Sequence, residues 1–412
     1  MSFKTVSVIG LGYIGLPTAA IIASRGIDVI GVDISQHTVD TINQGKIHIV
    51  EPDLDIVVRS VVQTGKLKAT VTPEPADAFL IAVPTPFKND YQPDLSYIEA
   101  AAKLIAPVLE KGNLIVLEST SPVGTTEKVA TWLAEARPDM IFPLKGSENA
   151  DINLAYCPER VLPGYVLQEL VSNDRVVGGL TAECAEKAIS LYEIFVKGAC
   201  YVTNARTAEM AKLAENAFRD VNIAFANELS LICDTLQINV WELIKLSNRH
   251  PRVNILNPGP GVGGHCIAVD PWFIISSDPD NAKIIKTARE VNDGKPQYVV
   301  DRVRKAADRF KSPVIACLGL SFKADIDDLR ESPAIEIVEI LSESKVGQLL
   351  IVEPNIDVLP KSLEGKVEYT KLNNALDMAD IVLLLVDHKQ FLQIPPEKLQ
   401  GRVIIDTRGI LS

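Results

Sequence analysis

The 412-residue sequence has few of the features that several protein classes require. It has only six cysteines, and because they form no Cys-x-x-Cys pair, they argue against both a disulfide framework and a zinc site. Basic residues are in the minority, since 41 Lys and Arg face 53 Asp and Glu, and the net charge is −12. Affinity for phosphate backbones comes mainly from clustered Lys and Arg, so the composition disfavours nucleic acid and anionic membranes as partners.

Long hydrophobic runs are absent as well, and none reaches the length that spans a membrane. Met1 is followed almost directly by a strand-like segment, without the basic region and cleavage site of a signal peptide. We therefore expect a protein of the reducing cytosol. The chain does have 47% hydrophobic residues, which predicts globular domains. Its length of 412 residues is also too great for a single ordinary hydrophobic core. Two or three domains are expected.

Short strand-like runs alternate with helical stretches in two parts of the chain. The predicted strands are residues 6–10, 28–33, 78–83 and 114–118, then 314–319, 349–353, 381–386 and 403–406. Between these parts, residues 206–236 contain no Gly or Pro and predict one helix of about eight turns. Another helical region is predicted from 280 to 310. The predicted fold is α/β, with two doubly wound Rossmann-like domains joined by a long central helix and a helical middle region. The expected boundaries are 1–203, 204–308 and 309–412.

A glycine-rich turn follows the first predicted strand. Gly10, Gly12 and Gly15 form GxGxxG, in which the first glycine permits a tight bend, the second lets the backbone approach a pyrophosphate, and the third allows close helix packing. Asp33 ends the second strand, where a carboxylate would accept the adenosine ribose hydroxyls and repel a 2′-phosphate. The pattern predicts NAD rather than NADP. The alternative is a glycine-rich turn and a strand-ending acid of no special role.

Cys266 lies in the run Gly-Val-Gly-Gly-His-Cys-Ile-Ala-Val-Asp at 261–270. A dehydrogenase that oxidises a carbonyl on to an acid must first form a tetrahedral adduct that can lose hydride, and a thiol can form it. The glycines at 261, 263 and 264 would leave room for the backbone and give flexibility to a loop that presents a side chain. A buried, inert thiol is the alternative for Cys266.

The long predicted helix carries a second polar group. Lys212 and Asn216 are four residues apart, and Arg219 continues the same stripe. An ordinary solvated face is the default interpretation, but apolar neighbours are expected to bury this one: Met210, Leu213, Ala217 and Phe218. A buried lysine would stabilise developing oxyanions or relay a proton.

Seven segments together resemble the UDP-sugar 6-dehydrogenase family over nearly the whole length. They are GLGYIGLP at 10, VPTP at 83, STSPVGTT at 119, CPERVLPG at 157, AEMAKLAENAFRDVNIAFANE at 208, GPGVGGHCIAVDP at 259 and GLSFKADIDDLRESP at 319. The resemblance implies two successive oxidations at C6 of the sugar, with NAD as cofactor, no metal, and a thiohemiacetal and thioester on Cys266. It also assigns NAD binding to the first domain and UDP binding to the third.

The same resemblance implies roles for single residues. Lys212 and Asn216 match the family's catalytic lysine and asparagine, Asp270 the aspartate that positions a water or the base, Glu159 the general base for thioester hydrolysis, and Thr120 a threonine that orders water. The implied NAD contacts are the turn residues Gly10, Gly12, Tyr13, Ile14 and Gly15, together with Asp33, Thr85, Thr126 and Arg330. The implied substrate contacts, besides Lys212 and Asn216, are Arg160, Val161, Arg219, His250, Arg252, Gly263, Phe322 and Lys323.

The resemblance also implies partners and a pathway. Arg252 is expected to reach the sugar site of a neighbouring subunit, which makes the protein a homodimer; residues 248–252 could instead form an ordinary solvated turn. The region around Arg160 and His265 resembles the N-acetylhexosamine branch, and the mannosamine epimer is favoured, for a bacterial surface polysaccharide. UDP-N-acetylglucosamine and UDP-glucose are the alternative substrates. A two-electron hydroxyacid dehydrogenase and a non-catalytic regulator that binds NAD or nucleotide sugar are alternatives of other classes.

Overall fold

The computed structural model describes residues 3–88, 91–144, 149–162, 164–264 and 266–411. The chain divides into two compact units, residues 1–214 and 215–412, called here the first and the second unit. In each unit the central strands follow the order of a doubly wound fold, which confirms the predicted fold class. No helix in the described ranges is long and apolar enough to cross a membrane.

The first unit contains an eight-stranded sheet in the order β3-β2-β1-β4-β5-β6-β7-β8, parallel except between β6 and β7. Its strands are β1 (Thr5–Ile9), β2 (Asp28–Val32), β3 (Leu67–Thr70), β4 (Ala78–Ile81), β5 (Leu114–Leu117), β6 (Asn153–Tyr156), β7 (Arg175–Gly179) and β8 (Cys200–Asn204). Its helices are α1 (Gly15–Ser24), α2 (Gln36–Asn43), α3 (Leu54–Gln63), α4 (Ser96–Ile105), α5 (Thr125–Ala136), α6 (Val166–Ser172) and α7 (Ala182–Tyr192).

Two hydrophobic clusters cover opposite faces of this sheet. In β4, Ala78 and Leu80 belong to one cluster, whereas Phe79 and Ile81 belong to the other. All four side chains are buried because helices pack on both faces, as is usual for parallel sheets. Because helices cover both faces of the sheet, polar loops can collect at the edge formed by the carboxyl ends of the strands.

The long helix α8 (Ala205–Leu236) confirms the predicted central helix. The second unit adds α9 (Val240–Ser247), α10 (Asp270–Ser277), α11 (Lys283–Ala307), α12 (Pro333–Glu343) and α13 (Leu372–Met378). Its five-stranded parallel sheet has the order β11-β10-β9-β12-β13. These strands are β9 (Val314–Leu318), β10 (Gln348–Val352), β11 (Glu368–Tyr369), β12 (Ile381–Leu384) and β13 (Val403–Asp406).

Candidate active site

The glycine-rich turn has the geometry that a dinucleotide requires. Gly10 has φ +90°, and a Cβ there would lie 2.5 Å from the carbonyl oxygen of Ala82. A Cβ on Gly15 would lie 1.7 Å from the carbonyl oxygen of Gly10, so α1 can begin only with glycine. At Gly12 a Cβ would meet nothing within 4 Å, which leaves that backbone open to a ligand. The turn therefore fits a pyrophosphate at the start of α1.

Asp33 lies beside this turn and is held by the backbone. Its Oδ2 accepts a hydrogen bond from the Leu11 amide at 3.0 Å, and its Oδ1 accepts one from the Ser35 amide at 2.9 Å. Both bonds fix the carboxylate at the end of β2, where it fits a ribose diol. Tyr13 is exposed and Ile14 is half-buried, next to the glycines. The residues present fit NAD.

Thr85, Thr120 and Thr126 lie in the segments after β4 and β5. The Thr85 hydroxyl donates to the carbonyl of Thr120 at 2.6 Å, which joins the two loops. Thr126 instead donates twice to Glu209 of α8, from its amide at 2.8 Å and from its hydroxyl at 2.6 Å. The Gly124 amide also donates to Glu209, at 2.6 Å, so this buried carboxylate caps the start of α5.

Sequence reasoning missed Glu209. Burial raises the pKa of its carboxyl group, while the bonds from Thr126 and Gly124 oppose that increase. Its partners lie more than 80 residues away along the chain, and no local pattern marks such a pairing. The position of Thr126 therefore depends on α8 as well as on the loop that precedes α5.

Glu159 is buried beside β7 and pairs with a buried arginine. Its Oε2 accepts from Arg175 Nη1 at 2.6 Å, and its Oε1 accepts from the Arg160 amide at 2.7 Å. Arg175 also donates to the Leu170 carbonyl at 3.1 Å and lies over the Tyr192 ring. The bonds from Arg175 and from the Arg160 amide fix the position of the Glu159 carboxylate. Arg175 is a further residue that the sequence did not reveal.

The same pocket holds Glu118 and Cys157. Burial raises the pKa of the Glu118 carboxyl to about 7, partly opposed by the charge of Arg175. Burial likewise raises the pKa of the Cys157 thiol to about 12, so this cysteine is not a nucleophile at neutral pH. Arg160 and Val161 follow at the surface, where both are half-buried.

Asn216, Asp270 and Cys266 meet in the second unit. Asn216 Nδ2 donates to Asp270 Oδ2 at 2.5 Å, and the Asp270 amide donates to the Cys266 carbonyl at 2.9 Å. Asp270 is buried at the start of α10, whereas Cys266 is exposed. An accessible thiol thus lies one turn from a buried carboxylate that α8 holds in place.

The polar stripe of α8 is only partly covered by its apolar neighbours. Lys212 is buried, as expected, while Arg219 is exposed. Leu213 and Ala217 are buried, as predicted. The prediction that Met210 and Phe218 also bury the stripe is wrong, because Met210 is 42% exposed and Phe218 is 70% exposed. Phe218 points away because it lies on the other side of the helix from Leu213 and Ala217.

The glycines before Cys266 allow close packing. A Cβ on Gly263 would lie 2.4 Å from the Glu331 carbonyl oxygen, and one on Gly264 would lie 2.9 Å from Phe322 Cε2. Gly264 also has φ +83°. The Gly259 amide donates to Asn227 Oδ1 at 2.8 Å, which ties the start of the loop to α8. Contacts with Glu331, Phe322 and Asn227, all in the second unit, therefore hold the loop.

The remaining predicted contacts lie at the surface of the second unit. His250 and Arg252 are exposed in one turn, where His250 Nδ1 accepts from the Arg252 amide at 3.3 Å. Phe322 is half-buried and Lys323 is exposed. Arg330 is exposed, with its guanidinium on the carboxylate of Asp328. His265 lies outside the described residues. Within the described residues, no group of three or more His, Cys, Asp or Glu could hold a metal ion.

Three domain models of one family match the sequence in order. They describe an NAD binding domain at 4–196, a central domain at 206–294 and a UDP binding domain at 316–412. The chain belongs to the UDP-glucose/GDP-mannose dehydrogenase family. It is an NAD-dependent nucleotide-sugar dehydrogenase, and the expected family and cofactor are confirmed. The UDP binding domain also supports the predicted UDP-sugar substrate.

Full-length relatives of this dehydrogenase carry two names. An NDP-N-acetyl-D-galactosaminuronic acid dehydrogenase from Ralstonia nicotianae is 67% identical and aligned over 100% of this chain and 97% of its own. A UDP-N-acetyl-D-mannosamine dehydrogenase from Yersinia pestis is 63% identical over 100% of both chains. The solved UDP-N-acetyl-mannosamine dehydrogenase from S. aureus is 44% identical, with a TM-score of 0.87, over 99% of this chain and 96% of that one.

Proposed function

We propose that this dehydrogenase oxidises C6 of UDP-N-acetyl-D-mannosamine to the uronic acid through a covalent intermediate on Cys266. The observation that carries the proposal is the arrangement of an exposed Cys266 one turn from Asp270, a buried carboxylate bound by Asn216. An oxidation that stops at a carbonyl needs no nucleophile at this position. The Yersinia pestis relative supports the choice of sugar.

The side chains have separable tasks in this reaction. The glycine-rich turn and Asp33 would hold NAD+, which would supply the hydride acceptor, one NAD+ being consumed in each of the two oxidations. The Cys266 thiolate adds to the C6 aldehyde, and oxidation of the thiohemiacetal leaves a thioester. Lys212 stabilises the oxyanions on C6, and Asn216 and Asp270 hold the water or the base close to Cys266.

Hydrolysis of the thioester needs a general base. We assign that task to Glu159, with Thr120 ordering the water, on the grounds of the family resemblance. The Arg175 ion pair holds the Glu159 carboxylate in place for this task. Arg175 would then also stabilise the carboxylate that forms when the proton leaves.

The substrate and cofactor contacts follow the same family pattern. Diphosphate binding by an acidic protein needs local cations, and Lys323 with the arginines supplies them. The proposed substrate contacts are Arg160, Val161, Lys212, Asn216, Arg219, His250, Arg252, Gly263, Phe322 and Lys323. The proposed NAD contacts are Gly10, Gly12, Tyr13, Ile14, Gly15, Asp33, Thr85, Thr126 and Arg330.

The proposed active form is a homodimer in the cytoplasm, in which Arg252 reaches the sugar site of the partner. Exposed apolar side chains at seven-residue spacing support a self-association face on α8: Phe218, Phe225 and Ile232. A groove of about 300 Å³ lies beside Phe225, with Ile284 of α11 in its lining. An apolar stripe of this kind is rarely left open to water.

A second substrate has a specific observation in its favour. The Ralstonia nicotianae relative, at 67% identity, is named for N-acetyl-D-galactosaminuronic acid. N-acetylgalactosamine and N-acetylmannosamine differ in the configuration at C2 and C4. We propose bacterial surface polysaccharide synthesis as the pathway, and the sugar must be chosen by assay.

The decisive test is the yield of NADH per sugar with limiting substrate. Four substrates are compared on the purified protein: UDP-N-acetylmannosamine, UDP-N-acetylgalactosamine, UDP-N-acetylglucosamine and UDP-glucose. About two NADH per N-acetylmannosamine, and far slower turnover of the others, would support the proposal. The same yield with another sugar would identify that sugar as the substrate instead. One NADH per sugar, or full activity of Cys266→Ser, would overturn the covalent route.

A further inference from the structure

The second unit repeats the hydrogen bonding of the NAD turn without its glycine motif. Glu353 follows β10 as Asp33 follows β2. Its Oε2 accepts from the Leu320 amide at 2.7 Å and its Oε1 from the Asn355 amide at 3.0 Å, the same two relationships that Asp33 has with its own turn. Gly319, at φ +94°, takes the place of Gly10. The second turn is thus built like a ribose-binding turn.

A histidine fills the place that a ribose would need. Glu353 is 2% exposed, and its Oε2 also accepts from the Ser321 amide at 3.1 Å and lies 3.0 Å from His388 Nε2. His388 is fully buried, and its ring packs edge-on against Phe391. Asp33, in contrast, is only partly buried. Glu353 therefore binds the protein's own histidine instead of a second nucleotide.

The hydrogen bonds fix the protonation of His388. Its Nδ1 lies 2.9 Å from the Asp325 amide and 3.0 Å from Asn355 Nδ2. Because a backbone N–H can only donate, Nδ1 must accept, and the imidazole carries its proton on Nε2. That proton is donated to Glu353. A neutral imidazole therefore joins Glu353 to the Asp325 amide.

These bonds hold both ends of the segment 320–325. Glu353 binds the amides of Leu320 and Ser321 at its start, and His388 binds the amide of Asp325 at its end, where φ is +61°. Phe322 and Lys323 lie between these anchors. The Phe322 ring also packs against Gly264, two residues before Cys266. Movement of this segment would disturb the diphosphate contacts and the cysteine loop together.

We propose that His388 is a positioning residue which, with Glu353, holds segment 320–325 so that Phe322 and Lys323 bind the UDP moiety. The inference rests on the proposed function in one respect, the assignment of these two residues to UDP. The hydrogen bonds by which Glu353 and His388 hold segment 320–325 are called here the latch. The latch is present without a ligand and can be measured without substrate.

Two variants separate the hydrogen bonds from the volume of the ring. His388→Leu places an apolar side chain in the same space but removes both bonds, so Glu353 loses one of its partners and the Asp325 amide loses its acceptor. His388→Gln keeps one donor and one acceptor. Lys389→Ala is the matched control, because the exposed Lys389 side chain reaches Asp325 through a surface ion pair, while the Lys389 amide that donates to Asp325 Oδ1 is kept.

The first measurement is amide hydrogen exchange of peptides that cover 320–325 in the full-length protein. We expect faster exchange there in His388→Leu, with exchange in the first unit unchanged and wild-type behaviour in Lys389→Ala. The second is calorimetry with UDP and, separately, with NAD. His388→Leu should bind UDP at least about tenfold more weakly, with unchanged NAD affinity, and His388→Gln should recover most of the loss.

The outcomes distinguish the latch from the function. Unchanged exchange and unchanged UDP binding in His388→Leu would overturn the latch, as would an equal loss of UDP and NAD binding, which indicates general destabilisation. If His388→Leu does not fold, His388→Gln with wild-type exchange and UDP binding supports the latch, and unrecovered binding opposes it. Faster exchange in His388→Leu, combined with a wild-type protein that binds no UDP, would keep the latch and overturn the proposed function.

Discussion

Glu118 shows how a single buried residue can make this protein sensitive to pH. Its Oε1 accepts from the Tyr192 hydroxyl at 2.7 Å, but its Oε2 has no hydrogen-bond partner within the described residues. Burial raises its pKa to about 7, and the neighbouring charge of Glu159 adds to the increase. The Glu159–Arg175 pair therefore lies next to a carboxyl group that ionises near neutral pH.

The raised pKa predicts that the stability conferred by Glu118 decreases with pH. Between pH 4.5 and 7 the folded protein keeps a proton that the unfolded chain has released, so the free energy of unfolding falls as pH rises and levels off above pH 7. Glu118→Gln should remove this dependence and stabilise the protein at pH 8 by about 1–3 kcal/mol, but not at pH 4.5. Urea unfolding of both proteins across this range is the measurement. Parallel pH profiles would show that another group titrates.

Gly264 gives a second residue-level prediction. Gly264→Ala combines an unfavourable positive φ with a close contact to Phe322, whereas Gly365→Ala has a similar φ of +71° and open space around the new Cβ. We expect Gly264→Ala to slow alkylation of Cys266 and turnover by about tenfold or more, because the cysteine loop must shift. Gly365→Ala should lower the stability of the protein without changing the alkylation rate of Cys266 or the turnover. Equal activity of the two variants would mean that packing against Phe322 does not position the thiol.

At the scale of elements, α8 makes polar contacts at several points along its length. Glu209 caps α5, Asn216 binds Asp270, and Asn227 binds the Gly259 amide. Asn227 also donates to Asn292 of α11 at 2.8 Å. A buried Asp220–Arg289 ion pair joins α8 and α11 about two turns further toward the start of α8. The helix thus connects the cysteine loop to a buried polar network.

This network predicts a large cost for losing Asn227. Asn227→Leu would remove the partner of the buried Gly259 amide and of Asn292 Oδ1, which should destabilise the protein by about 2–4 kcal/mol. Asn222→Leu is the control on the same helix, since Asn222 only donates to the carbonyl of its own turn. Urea unfolding compares their free energies, and the alkylation rate of Cys266 reports on the loop. Equal stability of the two variants would contradict a role of the network in holding the loop.

The sequence predicted elements whose cause is local. The central helix was predictable because residues 206–236 lack Gly and Pro, and strands such as β4 were predictable because all their residues are apolar. The strand β8 was missed because its residues are largely exposed, and β7 because it begins with a buried arginine. Arg175 is buried only because Glu159 comes to it from another strand end. Pairings of this kind are decided by the tertiary fold.

At the scale of the whole molecule, the stripe of α8 predicts a dimer. Phe218, Phe225 and Ile232 cover about 21 Å of one helix face at 1.5 Å per residue. Phe225→Glu would place a charge in the centre of that face, and we expect light scattering to report half the wild-type mass. Ile56→Glu is the control, because Ile56 is an exposed apolar residue on α3 of the first unit. If the Phe225→Glu protein is still a dimer, the dimer interface does not include this face of α8.

A dimer in which Arg252 acts on the partner's site also predicts complementation. Arg252→Ala and Cys266→Ser should each be inactive alone. After the two are mixed and the subunits exchange, each heterodimer has one site with its own Cys266 and with Arg252 from the partner. Random pairing makes half of the dimers mixed, so the activity should recover to about a quarter of wild type. If Arg252 acted within its own subunit, every site would lack one of the two residues, and mixing would restore nothing. The exchange itself can be followed by native mass spectrometry, so that absent recovery in exchanged dimers would exclude the action in trans.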